Sequence, residues 1–144
     1  MTRIREMDIS DYPQVIKLWT GIEAMLLRDA DSQQNIAKYL ARNPGMSFVA
    51  FDDEGIIGAI LVGTDGRRGY IQHLAVNTHY RGQGIGAQLI SNAINALEKQ
   101  SIAKTHLFVA NDNLDAQGFY EKLGWFPRDE VRMFSYNSSS ASNV

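Results

Sequence analysis

The feature that most constrains this chain is Arg81-Gly82-Gln83-Gly84-Ile85-Gly86-Ala87, a glycine-rich run between a strand pattern and a helix pattern. Tyr70, Ile71, Leu74, Ala75 and Val76 supply the apolar strand before it. Ile85, Leu89, Ile90, Ala93, Ile94 and Leu97 recur after it at helical spacing. A glycine weakens a helix by about 1 kcal/mol relative to alanine, so three of them at a helix start suggest that something approaches the backbone closely. A helix start carries unpaired N–H groups and the positive dipole end, so the natural visitor is a phosphate, and Arg81 suits an anion. A glycine-rich turn with no ligand is the alternative. Gly82-x-Gly84-x-x-Ala87 also satisfies a dinucleotide fingerprint by letter. In that fold, however, the first glycine ends the strand itself, whereas here residues 77–81 intervene. A chain of 144 residues also leaves little room for two mononucleotide halves. No Lys-Ser or Lys-Thr follows the last glycine, which excludes a Walker loop.

Composition narrows the class. The chain is 44% hydrophobic and 21% charged with net charge −2, as expected of one soluble domain with a single core. No basic patch points to nucleic acid. Cysteine is absent, which removes disulfides, a thiol nucleophile and cysteine–metal sites. His73, His79 and His106 show no metal-ligand spacing, so no metal is expected. No signal peptide or long apolar run appears, and the expected location is cytoplasmic, away from membranes.

In chain order, residues 3–7 read as a strand, and Asp8 or Ser10 can cap the helix that follows, with Pro13 in its first turn. Trp19 falls on that helix's apolar face, as a core residue. Ser32 opens a second helix, and Asn43-Pro44-Gly45 stops it. Between these helices Glu23, Arg28, Asp29 and Asp31 read mostly as solvated charges. Residues 47–51 and 56–62 form a hairpin, and Asp65-Gly66 turns into the strand at 70–76. A helix spans 84–100 and a strand 105–110. Asn113 can cap a helix holding Ala116, Phe119, Tyr120 and Leu123, and a last strand region covers 125–136. The pattern predicts an α/β (α+β) fold, with a mixed, mainly antiparallel sheet flanked by about four helices. Residues 1–136 form one domain and 137–144 a disordered polar tail.

Two motifs carry a family resemblance. Arg81-x-x-Gly84-x-Gly86, preceded by Leu74-Ala75-Val76, resembles the coenzyme A signature of the GNAT superfamily of acyl-CoA-dependent N-acyltransferases. Asn113-x-x-Ala116-x-x-Phe119-Tyr120-Glu121-Lys122-Leu123-Gly124-Trp125-Phe126 resembles the family segment that binds coenzyme A after the fifth strand. The run from Asn43-Pro44-Gly45 through Asp65-Gly66-Arg67-Arg68-Gly69 to His73-Leu74-Ala75-Val76 is similar to a subgroup of small bacterial GNAT proteins. The resemblance implies a sheet of six to seven strands whose parallel pair is splayed apart. It implies acetyl-CoA as co-substrate, its pyrophosphate held by the amides of Gly82, Gln83, Gly84, Ile85, Gly86 and Ala87 with Arg81 alongside. It further implies that Leu74, Ala75 and Val76 lie along the pantetheine arm, and that Asn113 and Tyr120 contact the cofactor.

The implied reaction is direct transfer of an acetyl group to a primary amine of a small molecule or protein, in a ternary complex. The oxyanion needs donors, for which amides at 74–76 are candidates. The leaving thiolate benefits from a hydroxyl, and Tyr120 is the expected general acid. The amine must lose a proton, yet Tyr70, Gln72 and His73 stand where many family members place a carboxylate. Phe108 occupies the fifth-strand position. His73 is therefore the candidate base, because an imidazole titrates at about 6.5. A histidine merely packed in the sheet is the equal alternative, and Glu23 and Asp65 are weaker candidates. The resemblance also implies that the segment between the first two helices covers the acceptor site, so Glu23, Arg28, Asp29 and Asp31 could face substrate. Two other functions stay open: a non-catalytic acyl-CoA-sensing domain of the same fold, and a nicotinamide-dinucleotide enzyme. An exposed final strand could pair two copies into a homodimer.

Overall fold

Short turns between apolar strands force antiparallel neighbours, and a helical crossover permits a parallel pair. The computed structural model, which describes residues 1–22 and 25–144, follows both rules. Its strands are β1 (Arg3–Glu6), β2 (Phe48–Asp52), β3 (Gly55–Thr64), β4 (Gly69–Val76) and β5 (Thr105–His106). They form one sheet in the order β1-β2-β3-β4-β5. The first three pairings are antiparallel and β4–β5 is parallel. Asp65 fixes the β3–β4 turn by accepting the amides of Arg67 and Arg68, each at 2.8 Å.

Among the described residues there are four α-helices: α1 (Tyr12–Thr20), α2 (Gln33–Arg42), α3 (Ile85–Glu98) and α4 (Leu114–Lys122). The expected caps form at α2 and α4. Ser32 Oγ accepts the Asn35 amide at 3.2 Å, and Asn113 Oδ1 accepts the Ala116 amide at 3.2 Å. Asp8 caps a 3-10 turn at Ile9–Asp11 instead of α1 itself, which opens with Pro13 in its first turn.

The chain divides into two compact units, Met1–Leu107 and Phe108–Val144. The first holds the sheet with α1, α2 and α3; the second holds α4. In the first unit, Met7, Val15, Trp19, Ile36, Val49, Ala59, Leu61 and Ala75 form one core cluster. Ile85, Leu89, Ile90, Ala93 and Leu97 make the buried stripe of α3. The two sets take opposite faces of β3. Ala59 belongs to the cluster, whereas a Cβ on neighbouring Gly58 would lie 3.3 Å from both Ile85 and Leu89. Helices therefore cover both faces of the sheet.

The expectation of six to seven strands is not met, because the sheet has five among the described residues. The strand expected over 105–110 shrinks to Thr105–His106, and 125–136 contains no strand. A strand exists only where a neighbour accepts its ladder, and 125–136 pairs with none among the described residues. Pro127 removes one ladder donor, and the charged run around it bonds locally, Arg128 Nε to Glu130 Oε1. Pairing of two copies through a final strand accordingly has no strand to rest on here.

Candidate active site

The strand β4 departs from regular pairing where the candidate base lies. Ala59 faces Ala75 and Leu61 faces Gln72, so Ile60 alone stands opposite both His73 and Leu74. This is a β-bulge, one extra residue on β4. Its effect on side-chain direction is specific. Ile71 pairs with Val62 and Gln72 with Leu61. Simple alternation would return His73 to the face of Ile71. Instead its ring lies 4.8 Å from that of Trp19, in the cluster on the other face, and Ala75 is kept in that same cluster. The backbone at His73 is left-handed, with φ of 50°. That region is unfavourable for a residue with a Cβ.

His73 Nε2 lies 2.7 Å from Asp31 Oδ1. Their side chains are 19% and 10% exposed. Asp31 ends a 3-10 turn, Asp29–Asp31, and its other oxygen accepts the Arg28 amide at 2.9 Å. The Tyr12 hydroxyl donates to the Asp31 carbonyl oxygen at 2.7 Å. The carboxylate is thus neither solvated nor mobile, which corrects the surface-charge reading of Asp31. A signal was present in the sequence. Asp31 stands three residues after Arg28 and directly before the Ser32 cap, the spacing at which an acidic side chain reaches back to a turn's first amide. Glu23 lies outside the described residues. Asp65 is committed to its turn. The Trp19 indole N–H is buried with no hydrogen-bond partner among the described residues.

After β4, Asn77 turns the chain by accepting the His79 amide at 2.9 Å, and Arg81 Nε reaches the Val76 carbonyl at 3.4 Å. Gly82 and Gly84 both adopt left-handed backbone, with φ of 78° and 79°. A Cβ at either would meet nothing within 4 Å, so this side of the loop is open to a visitor. Gly84 caps α3 with no side-chain bond to the first-turn amides. The amides of Ile85, Gly86 and Ala87 therefore begin a 14-residue helix without an internal acceptor, and an anion fits there. His73, Leu74, Ala75 and Val76 lead into this loop within the first unit. A separate groove lined by Pro44, Phe48, Asn92 and Lys99 contains none of the expected site residues.

In the second unit the Asn113 cap uses Oδ1 and leaves Nδ2 as a donor. Tyr120 packs edge-on against Phe119 and Trp125, with ring centroids at 5.2 and 5.9 Å. Burial pushes its hydroxyl up to about 12. Among the described residues no cluster of histidine and acidic side chains could hold a metal ion, and no helix is long and apolar enough to cross a membrane.

The fold is that of known acetyltransferases. A GNAT-family acetyltransferase from Staphylococcus aureus superposes with a TM-score of 0.76 at 22% identity, covering 86% of this chain and 84% of the other. A PaiA N-acetyltransferase from Thermoplasma acidophilum, solved with coenzyme A, gives 0.74 at 21%, covering 85% and 88%. The sequence carries the assignment further. The pattern of the Acetyltransferase (GNAT) family matches residues 3–125, and the chain belongs to that family. Acetyltransferase YE1169 of Yersinia enterocolitica is 33% identical over 131 residues, 90% of this chain and 92% of that protein. Acetyltransferase ECA0875 of Pectobacterium atrosepticum is 36% identical over 121 residues, 83% and 84% of the two chains. The protein is an acetyl-CoA-dependent acetyltransferase.

Proposed function

We propose that this enzyme transfers the acetyl group to a primary amine, of a small molecule or a protein, in a ternary complex without an acetylated enzyme intermediate. The carrying observation is the open, left-handed loop at an uncapped α3, in a chain that has no cysteine to serve as thiol nucleophile. Acetyl-CoA supplies a thioester carbonyl carbon, at which a C–N bond forms before the C–S bond breaks.

The chain's residues have separate tasks. The amides of 82–87 and Arg81 hold the pyrophosphate, and Leu74, Ala75 and Val76 present backbone to the pantetheine arm. The bulge interrupts the ladder beside Leu74 and frees backbone donors for the developing oxyanion. His73 takes the first proton from the ammonium, leaving a lone pair to attack. The second nitrogen proton leaves as the adduct collapses; overall one proton ends on sulfur and one in solvent. Tyr120 stays protonated throughout the neutral range, because its hydroxyl titrates at about 12. Full transfer to a thiolate of pKa about 8.5 is uphill, so Tyr120 acts mainly by donating a hydrogen bond as charge develops on sulfur. Asn113 Nδ2 is free to contact the cofactor.

Thermal melting with acetyl-CoA, CoA and NAD, followed by thiol release over a panel of primary amines, tests the reading. Stabilisation by both CoA species but not by NAD, together with amine-dependent thiol release, is the expected result. Binding without turnover on any amine would reject amine acetylation.

A further inference from the structure

We propose that Asp31 is the positioning residue for His73, holding the ring as the Nε2–H tautomer so that Nδ1 carries the basic lone pair. The inference deepens the amine-acetylation reading and rests on it. An ionised carboxylate is an acceptor only, so a ring nitrogen 2.7 Å from Asp31 Oδ1 must bear hydrogen. That fixes the tautomer, and Nδ1 has no partner among the described residues. Two independent features show that the pairing is built. The carboxylate is locked by the Arg28 amide on its second oxygen, and its own carbonyl is tied to Tyr12. On the other side, a bulge and a left-handed backbone turn His73 from the face that alternation would give it. A strained conformation of this kind persists only where its surroundings impose it, and such positions concentrate at functional sites.

The remaining neighbours do not compete for the ring. Trp19 packs against it from α1. Ile60, opposite on β3, is apolar. Arg28 and Asp29 share the turn with Asp31, and the Arg28 guanidinium points to the Leu27 carbonyl at 3.5 Å. During turnover one proton passes from the substrate ammonium to Nδ1. The resulting imidazolium is stabilised by Asp31, which keeps its charge, and the proton then leaves to solvent.

The test uses the full chain with 15N-labelled histidine. Nitrogen shifts of His73 in the free wild-type protein should report Nε2–H. Asp31→Asn keeps the shape and removes the charge. It should redistribute the tautomers and lower kcat about 10²-fold with KM for acetyl-CoA within about twofold. An Nδ1–H tautomer in the wild type would overturn the proposal even if Asp31→Asn failed to fold. An Asp31→Asn enzyme with wild-type kcat and an unchanged tautomer ratio would overturn it as well, leaving a structural strap. The tautomer is read without any substrate, so failure of the amine reading is seen separately, as absent thiol release from a protein with the expected tautomer.

Discussion

Replacing Gly84 by alanine separates the backbone demand of the loop from its ligand. The left-handed conformation, φ 79°, costs a residue with a Cβ about 1–2 kcal/mol. For 144 residues the unfolding entropy is about 0.3 kcal/mol/K, so Tm should fall by about 3–7 °C. The new methyl meets no protein atom within 4 Å, so no packing strain adds to this. It points instead into the space proposed for the pyrophosphate. At 100 times its Kd, acetyl-CoA stabilises by about 2.7 kcal/mol, or about 9 °C in Tm for this chain. Losing one charge-assisted amide bond costs about 1.5–3 kcal/mol, a weakening of about ten- to a hundredfold. At the same ligand concentration the shift should then drop to about 1–5 °C. Gly66→Ala is the matched control. Gly66 is also left-handed, φ 94°, with nothing within 4 Å, but lies in the β3–β4 turn. It should lower Tm comparably and keep the full ligand shift. Differential scanning fluorimetry at fixed acetyl-CoA reads both. An undiminished shift in Gly84→Ala, or equal losses in the two variants, would refute the placement of the pyrophosphate at this loop.

Further outcomes follow from other residues. Tyr120→Phe should lower kcat about 10²-fold while the CoA-induced melting shift persists; single-turnover thiol release checks it, and unchanged kcat would remove Tyr120 from the chemistry. The same hydroxyl affects stability at alkaline pH. Burial raises it to about 12 in the folded state against about 10 unfolded, so its contribution is complete below pH 10 and is lost as pH rises toward 12. Tyr120→Phe should weaken that loss in urea titrations at pH 9 and 11. The Arg5 bond holds the Asp11 carboxyl below its ordinary value, so its stabilisation is present above about pH 4 and is lost as pH falls through the lowered value. Asp11→Asn should flatten the acid limb of stability against pH. Ser47 Oγ accepts the Val62 amide at 2.9 Å and donates to the Val62 carbonyl at 3.3 Å, all buried. Ser47→Ala should cost about 1–3 kcal/mol, seen as a lower urea midpoint at unchanged slope.

How much was legible follows from what each signal depends on. The hairpins, the parallel β4–β5 pair and the caps at Ser32 and Asn113 depend on local turn chemistry and periodicity, and these form as read. The glycine loop was legible because left-handed backbone at a helix start leaves its mark in residue type. The edge of the sheet was not. Residues 105–110 alternate well enough to be a strand and 125–136 reads as a strand region, but a strand is defined by its neighbour, which no local pattern reports. The His73–Asp31 pair was half legible. The absence of carboxylates from β4 points to His73 from sequence alone. The pairing with Asp31 was not legible, because 42 residues separate the two, and in one dimension a charge before a helix cap looks like any solvated charge. The bulge was invisible for a related reason: it shows only in the register of β4 against β3.

That bulge supports one more test, in which the sign of a small energy decides. In an ordinary strand, glycine is less stable than alanine by about 0.5–1 kcal/mol, because it has more backbone freedom to lose. At His73 the order should reverse. The position is left-handed, φ 50°, where alanine bears the Cβ penalty of about 1–2 kcal/mol and glycine does not. His73→Gly and His73→Ala both lose the bond to Asp31 and the packing on Trp19, so those losses cancel in the comparison. His73→Gly should therefore be the more stable of the two by about 1 kcal/mol, measured by urea denaturation at neutral pH. Both should be equally impaired in amine-dependent thiol release, since neither has an imidazole. The usual order, with alanine the more stable, would mean that β4 runs through His73 as regular strand. The ring would then return to the face of Ile71, away from Trp19 and Asp31, and the geometric basis for His73 as the base would be gone. The reversed order with the expected loss of turnover would show a residue kept at a strained point of the sheet for the direction in which it aims its side chain.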